Sequence, residues 1–247
     1  WTIDQNWFGY SSEEHLRWTA LYERQMDILP GRACDAFMVG LDKLDLHGAG
    51  IPDFQRLNEG LFTLTGWTIV AVPGLVPDTV FFDHLANRRF PAGNFIRRQN
   101  QFDYISEPDV FHDIFGHVPL LADPIFADYM QAYGKGGLRA FGLHSLDALA
   151  RLYWYTVEFG LMATPDGLRI YGAGIGFDLQ RIMRSHYKID DFQEAYFVID
   201  GFDQLFTATQ QDFAPIYRDL IGLPTIETRE VVVGDKLFST SLQLDTH

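Results

Sequence analysis

Two histidines five positions apart are the first candidates for chemistry in this sequence. His112 and His117 lie between Pro108, which can begin a helix, and Gly116, which can end one. In a regular α-helix, side chains five residues apart point about 140° away from each other. If Gly116 ends the helix before His117, however, the second imidazole can turn back toward the first. Two isolated histidines are usually structural, so this spacing alone is a weak indication of a metal site.

Glu158 is a third candidate, because it is the one acidic residue after Asp147 in an apolar and aromatic segment. A buried carboxylate needs a cation, an arginine or a proton. A pair with Arg151 or Arg139, or a position on an exposed stripe of the helix, would be structural solutions. Alternatively, two neutral imidazoles and one carboxylate hold a divalent metal with open positions, which is typical of non-haem ferrous oxygenases. No thiolate or third histidine is grouped with them, which disfavours a closed structural zinc site.

The composition is that of a globular protein, and it excludes several classes of function. The chain has 247 residues, of which 47% are hydrophobic and 21% charged. Its formal net charge of −14 argues against binding to nucleic acid or to an anionic membrane. Its single cysteine, Cys34, allows no intrachain disulfide, and no apolar run approaches the roughly 20 residues of a membrane span. We expect one domain, residues 1–247, in the cytoplasm.

The elements that must position the three candidates are mainly helical. Hydrophobic periodicity, capping residues and breakers predict helices over residues 13–29, 34–44, 52–65, 77–87, 108–116, 124–133 and 145–162. A strand is predicted over 67–72, an irregular segment over 97–108, and a C-terminal hairpin from strands 230–233 and 236–238. The predicted fold class is therefore mainly α, that is, α+β with a minor sheet.

Segments 107–121 and 152–161, followed by Tyr171-Gly-Ala-Gly174, resemble the pterin-dependent aromatic amino acid hydroxylases. The resemblance extends over nearly the whole chain, and its combined motifs are highly specific. It implies a single, mainly helical catalytic domain that uses ferrous iron, a tetrahydropterin co-substrate and dioxygen. It also implies a monomer, since no stretch is left over for the regulatory domain or tetramerisation helix of the animal enzymes.

The resemblance implies roles for the candidate residues in binding iron and substrate. His112, His117 and Glu158 match the iron ligands of the family. Arg97 matches the arginine that binds the substrate carboxylate, a role suited to a bidentate guanidinium, and Asp109 matches the acidic residue that braces it. The adjacent Arg98 is the alternative in this motif. The expected substrate pocket also includes Pro108, Trp154 and Phe159.

The resemblance further implies a pterin site. Phe81 matches the aromatic residue on which the pterin ring stacks, although taken alone Phe81 would more often be a core residue. Asp113 occupies the position where the family often has a glutamate, and its shorter carboxylate could reach the pterin through water. The pterin loop of the family matches Val72, Gly74, Leu75 and Val76.

Two residues bear on the choice of substrate within the family. Trp154, four positions before Glu158, is typical of the phenylalanine and tyrosine enzymes rather than the tryptophan enzymes. The tyrosine enzymes carry an acidic residue where this sequence places Ile189, which cannot accept a hydrogen bond from a phenol. We therefore expect hydroxylation of L-phenylalanine to L-tyrosine, with tyrosine or tryptophan as the alternative substrate.

Two other classes of function remain in competition. A zinc hydrolase with the same three ligands would need a general base, for which Asp113 is the nearby candidate, and the HExxH pattern is absent. A non-catalytic helical domain with structural histidines would leave the joint match of histidines, glutamate, arginine and glycines unexplained.

The chain departs from the family after Ile175. The family continues there with two serines, one of which supports an iron-binding histidine, and then with a variable loop. This sequence passes directly to Gly176, without roughly 18 residues, a plausible length for an active-site loop. A true deletion would remove support for a ligand, which typically costs about 10–100-fold in metal affinity or activity. We favour the alternative that the molecule carries the loop, because both flanks keep their match to the family.

Overall fold

The computed structural model describes residues 1–103, 105, 107–142, 152–174, 195–210, 230–233 and 236–239. Helices dominate these residues, and two small sheets accompany them, so the predicted fold class is confirmed. The α-helices are α1 Ser12–Met26, α2 Asp35–Lys43, α3 Phe54–Thr65, α4 Asp78–Ala86, α5 Val118–Leu121, α6 Pro124–Gly142 and α7 Asp203–Gln210. In the described part of the chain, no helix is both long and apolar enough to cross a membrane.

Helix boundaries follow local capping chemistry. Ser11 begins α1 with a capping box, in which its side chain accepts from the amide of Glu14 and the Glu14 carboxylate accepts from the amide of Ser11. Asp53 caps α3 by accepting from the amide of Gln55, and Gly66 ends that helix in the left-handed region, at φ 74°. The predicted boundaries of these helices are therefore correct to within a few residues.

Helix α6 is longer than predicted, and its glycines explain the difference. The sequence predicts an end at residue 133, whereas the helix continues through Gly134, Gly136 and Gly137 to Gly142. A Cβ atom on Gly134 would overlap the backbone of α4 at Ala86, and one on Gly137 would overlap the ring of Phe82. These glycines allow α4 and α6 to pack closely instead of ending the helix.

The smaller sheet pairs β1 Thr68–Val72 in parallel with β2 Arg89–Gly93, and α4 forms the crossover between the two strands. The predicted strand is confirmed as β1. The partner strand β2 was not predicted, because its sequence Arg-Phe-Pro-Ala-Gly contains two residues that are rare in strands.

The larger sheet has the strand order β4-β3-β5-β6-β7. Its strands are β3 Leu161–Thr164, β4 Gly167–Ile170, β5 Ala195–Ile199, β6 Glu230–Val233 and β7 Lys236–Ser239. The predicted C-terminal hairpin is confirmed by the antiparallel pair β6–β7. The prediction that a helix runs to residue 162 is wrong at its end, because the chain turns at Gly160 and enters β3. Residues 145–151 of that predicted helix lie outside the described residues.

Large aromatic side chains form the core and hold the segment around His112. The ring of Trp18 on α1 meets Phe111 edge-on, with ring centroids 4.9 Å apart, and Phe111 stacks on Phe115 at 5.0 Å. The indole nitrogen of Trp67 donates to the carbonyl of Ala127 on α6. Because rigid packing fixes the neighbours of His112 on both sides, the imidazole has a defined position.

Gly134→Ala should destabilise the protein, because the added methyl group would enter the backbone of α4. We expect the free energy of unfolding to fall by about 1–3 kcal/mol, as in other overpacked sites. Gly136→Ala is the matched control on the same helix, since nothing lies within 4 Å of its Cβ position. That variant should gain up to about 1 kcal/mol from helix propensity. Urea unfolding measures both, and equal effects of the two substitutions would contradict this packing.

Candidate active site

His112 and His117 stand at the two ends of a π-helical segment, His112–His117, which continues into α5. Hydrogen bonds in a π-helix join residues five apart, so residue i+5 lies above residue i. As a result, the Nε2 atoms of the two histidines are 3.1 Å apart. The alternative in which Gly116 ends the helix before His117 does not hold, because the wider turn brings the imidazoles together while the helix continues.

Glu158 ends a second π-helical segment, Trp154–Glu158, and its carboxylate faces both histidines. Its Oε1 is 3.2 Å from Nε2 of His117, and its Oε2 is 3.6 Å from Nε2 of His112. One ligand atom from each of the three residues lies within 4.8 Å of the others. The Glu158 side chain is 15% exposed, and its ion-pair partners within the described residues are the two histidines. The three candidate ligands therefore converge.

The electrostatics of this cluster keep the carboxylate of Glu158 ionised. Burial alone would raise the pKa of Glu158, but the charges of His117 and His112 lower it well below its usual range. Burial opposes the charged form of His112, yet the carboxylate of Glu158 outweighs it and raises the pKa of His112. Two neutral imidazoles and a carboxylate suit a divalent metal such as ferrous iron, and three protein ligands leave coordination positions open.

The turn after Glu158 packs against the glycine-rich segment 171–174. The amides of Tyr171 and Gly172 both donate to the carbonyl of Gly160, at 3.1 and 3.0 Å. A Cβ atom on Gly172 would overlap the carbonyl oxygen of Glu158, and one on Gly160 would overlap the ring of Tyr171. The close contact between the two segments therefore requires glycine at positions 160 and 172. This contact fixes the backbone next to Glu158.

Arg97 and Asp109 form a buried ion pair beside the first π-helical segment. Nε and Nη2 of Arg97 donate to the two carboxylate oxygens at 2.9 and 2.8 Å, and the side chains are 4% and 0% exposed. Burial favours the neutral acid, but hydrogen bonds and the charge of Arg97 lower the pKa of Asp109. Arg98, the alternative arginine, is exposed. The geometry therefore favours Arg97 as the arginine that Asp109 braces.

The Asp109 carboxylate also bonds to the π-helical segment that carries the two histidines. It accepts from the backbone amide of Arg97 at 2.8 Å and from the backbone amide of His112 at 3.0 Å. One buried carboxylate thus fixes the arginine and one of the histidines relative to each other.

An aromatic chain connects Phe81 to the histidines. The half-buried ring of Phe81 meets Tyr153 edge-on, with centroids 5.6 Å apart, and Tyr153 lies 6.2 Å from the ring of His117. Phe90 contacts the same imidazole at 5.4 Å. The structure therefore places the residue expected to stack on the pterin one ring away from a candidate metal ligand.

The expected pterin loop follows β1 and passes close to Glu107. Val72 ends β1 with its side chain 3% exposed, whereas Leu75 is 73% exposed. A Cβ atom on Gly74 would lie 2.7 Å from Oε1 of Glu107, and Val76 is half-buried. A ligand that binds to this loop would therefore contact the main chain of Val72 and the side chains of the residues that follow it.

Asp113 lies within the first π-helical segment and bonds to β2. Its Oδ2 accepts from the amide of Gly93 at 2.8 Å. Burial raises the pKa of Asp113 to about 6, while His112, the Gly93 amide and His117 act in the opposite direction. This carboxyl group is therefore held in place beside the candidate ligands.

The remaining expected pocket residues surround the same region. Phe159 is buried, and its ring would lie 2.9 Å from a Cβ atom on Gly174. Pro108 is half-buried, with its carbonyl oxygen beside Gly93. Trp154 belongs to the second π-helical segment, and its side chain lies outside the described part of the structure.

Sequence reasoning missed a buried, hydrogen-bonded hydroxyl group two residues before Glu158. Thr156 is fully buried on the second π-helical segment and contacts Tyr129 of α6. A threonine within an apolar and aromatic run was the available signal, since a buried hydroxyl needs a partner.

Comparison with known proteins agrees with this geometry. Residues 6–176 match the family described as biopterin-dependent aromatic amino acid hydroxylase. The chain is 61% identical to a phenylalanine-4-hydroxylase of Caulobacter vibrioides, over 98% of this chain and 89% of that protein. It is 58% identical to the phenylalanine-4-hydroxylase of Ralstonia nicotianae, over 96% and 82% respectively.

Solved structures of phenylalanine hydroxylase from Chromobacterium violaceum share the fold. A crystal structure bound to cobalt matches with a TM-score of 0.79 at 55% identity, covering 90% of this chain and 87% of that chain. One bound to iron and phenylalanine matches with a TM-score of 0.76 at 55% identity, with the same coverage.

The alignment with the Caulobacter protein also bears on the expected missing loop. It runs over 262 positions, more than the 247 residues of this chain, so that relative has residues without a counterpart here. The family match ends at residue 176. The junction between residues 175 and 176 lies outside the described residues.

Asp109→Asn should strongly destabilise the protein, because it leaves a buried guanidinium without its carboxylate. We expect a loss of about 3–5 kcal/mol in the free energy of unfolding. Asp103→Asn is the matched control, since Asp103 also pairs with an arginine, Arg24, but is 84% exposed. That change should cost less than about 1 kcal/mol. If urea unfolding gave comparable losses for the two variants, the buried Arg97–Asp109 pair would contribute no more to stability than the exposed Arg24–Asp103 pair.

Proposed function

Because the chain belongs to the biopterin-dependent aromatic amino acid hydroxylases, we propose specific roles for its residues in the hydroxylation of L-phenylalanine to L-tyrosine. The enzyme uses dioxygen, non-haem ferrous iron and a tetrahydropterin. The observation that carries the assignment of residues is the convergence of His112, His117 and Glu158. Family membership leaves no support for a zinc hydrolase or a non-catalytic domain.

His112, His117 and Glu158 hold the iron through two imidazole nitrogens and a carboxylate. When bound, iron and the reduced pterin would supply the electrons that activate dioxygen, so that one oxygen atom enters the substrate ring and the other leaves on the oxidised pterin. The protein would contribute the positions of these groups and the exclusion of water, and three protein ligands would leave coordination positions open for exchangeable groups. The burial of His117 and Phe159 supports a site closed to solvent on that side.

Arg97 binds the carboxylate of phenylalanine and so sets the distance of the substrate ring from the metal. Its bidentate pair with Asp109 orients the guanidinium before substrate arrives, which lowers the cost of ordering it on binding. The coupling of Asp109 to the amide of His112 supports this role, because it fixes the carboxylate site relative to the metal ligands. Pro108, Trp154 and Phe159 form the surrounding pocket.

The pterin stacks on Phe81, and the loop after β1 holds its edge. The contact of Phe81 with Tyr153, which lies against His117, supports a pterin position close to the metal. Asp113 faces the pterin, directly or through water. The loop contacts come from the main chain at Val72 and from Gly74, Leu75 and Val76.

We also propose that residues 1–247 form one catalytic domain that acts as a monomer in the cytoplasm. A hydrophobic core that extends from Trp18 on α1 to Leu205 on α7 supports a single domain. Light scattering should give the mass of one chain, and a stable dimer or tetramer would contradict the monomer.

His117→Ala should abolish both iron binding and the conversion of phenylalanine to tyrosine, because two ligands do not form the facial set. The wild-type protein should bind one ferrous ion and prefer phenylalanine to tyrosine. His47→Ala is the control, since His47 is 57% exposed and pairs with Asp45 away from the cluster. Metal analysis and turnover with iron, tetrahydropterin and oxygen measure both. Full activity of His117→Ala would contradict the assignment of the iron ligands. A preference of the wild-type protein for tyrosine would contradict the assignment of the substrate.

Arg97→Lys should chiefly raise the KM for phenylalanine. Lysine keeps a positive charge beside Asp109 but loses the bidentate geometry. The loss of one charged hydrogen bond corresponds to about a 10- to 150-fold rise in KM. Arg98→Lys, at the exposed neighbour, should leave the KM within about twofold. Initial rates at varied phenylalanine test this, and an unchanged KM in Arg97→Lys would move the carboxylate site elsewhere.

A further inference from the structure

A chain of buried hydroxyl groups lies behind the iron-binding glutamate. Thr156 stands two residues before Glu158 and is 0% exposed. Its Oγ1 donates to the carbonyl oxygen of Leu152 at 2.5 Å, and it lies 3.2 Å from the hydroxyl of Tyr129. A threonine hydroxyl has a single proton. Since that proton goes to Leu152, the hydroxyl of Tyr129 must be the donor in the contact between the two side chains.

Leu152 lies where the helix changes its hydrogen-bond pattern. Leu152 and Tyr153 are α-helical, and the π-helical segment begins at Trp154. Where a helix passes from i+4 to i+5 hydrogen bonds, its carbonyl groups have to change partners. A threonine that bonds back to the carbonyl four residues earlier supplies an extra donor at this point and favours a bend in the helix. The hydroxyl of Thr156 is thus bonded at the junction between the α-helical and π-helical patterns.

Thr156 is also bonded on the other side of Glu158. Its backbone carbonyl accepts from the amide of Gly160 at 2.8 Å. The Thr156 hydroxyl thus bonds to Leu152, which precedes the π-helical segment, and the Thr156 carbonyl bonds to Gly160, which follows Glu158. Both ends of the short segment that carries Glu158 are held by one residue.

We propose that Thr156 is the positioning residue for Glu158, and that Tyr129 orients it from α6. The relay runs from the Tyr129 hydroxyl to the Thr156 hydroxyl and on to the Leu152 carbonyl. It keeps the π-helical register that aims the Glu158 carboxylate at His112 and His117. Loss of the hydroxyl lets this turn return toward α-helical geometry, which moves the carboxylate around the helix axis. The inference rests on the proposed role of Glu158 as a metal ligand.

Thr156→Val tests the relay, because valine has the shape of threonine without the hydroxyl. The measurement is the affinity of the metal-free protein for Co²⁺, followed by the visible absorption of the bound ion. We expect Thr156→Val to bind Co²⁺ about 10–100-fold more weakly, the usual cost of losing support behind a ligand. Thr156→Ser keeps the hydroxyl and should bind within about threefold of the wild type. Its absorption bands should also match those of the wild type.

Thr19→Val is the control for the loss of a threonine side-chain hydrogen bond, at a half-buried position outside the cluster. Thr19 on α1 donates to the carbonyl of Gly48, at 2.8 Å, far from the three ligands in sequence and on another helix. It should lower the free energy of unfolding but leave the Co²⁺ affinity unchanged. If Thr156→Val does not fold, Tyr129→Phe takes its place, since it removes only the outer donor. A weakening of about 3–10-fold is then expected.

The outcomes separate this inference from the proposed metal site. Wild-type protein that binds no Co²⁺, or Glu158→Gln protein that binds it normally, would overturn the metal site itself. If wild type binds and Glu158→Gln does not, normal affinity in a folded Thr156→Val or in Tyr129→Phe overturns the relay alone. Equal weakening in Thr156→Val and Thr156→Ser would also overturn it, because the hydroxyl would then be irrelevant.

Discussion

Three side chains from two segments of the sequence bring their candidate ligand atoms within 4.8 Å of one another, as the proposed metal site requires, and two wide helical turns make this possible. In the first π-helical segment, five residues bring one imidazole above the other, so that the nitrogens are 3.1 Å apart. In the second, the turn aims the Glu158 carboxylate at both rings. Regular α-helices over the same residues would point these groups in different directions. The rest of the fold can be understood as support for these two turns.

Buried polar groups hold the first wide turn, and close contacts at glycine hold the backbone beside the second. Asp109 accepts from the amide of His112 while it also holds Arg97, which links the proposed substrate carboxylate site to the proposed metal site. Beside Glu158, Gly160 and Gly172 permit backbone contact that any side chain would prevent. Buried polar groups that are fully bonded make a site rigid. A preformed site of this kind lowers the ordering cost when metal and substrate bind.

Much of the site could be predicted from sequence, because its residue types are few and their motifs specific. The helices with clear caps, such as α1 and α3, and the C-terminal hairpin follow local rules. What could not be predicted depends on tertiary contact. The glycines of α6 resemble a helix end until the close packing of α4 is known. Likewise, Gly116 resembles a helix end, since sequence periodicity alone does not distinguish an α-turn from a π-turn.

The most direct test of this account is anomalous diffraction at the iron absorption edge from crystals loaded with ferrous iron under anaerobic conditions. We expect one strong peak from an iron ion held by Nε2 of His112, Nε2 of His117 and the carboxylate of Glu158. Water should occupy its remaining coordination positions. Both π-helical segments should keep their geometry around it. A peak held by other residues, or one closed by a fourth protein ligand, would contradict the account.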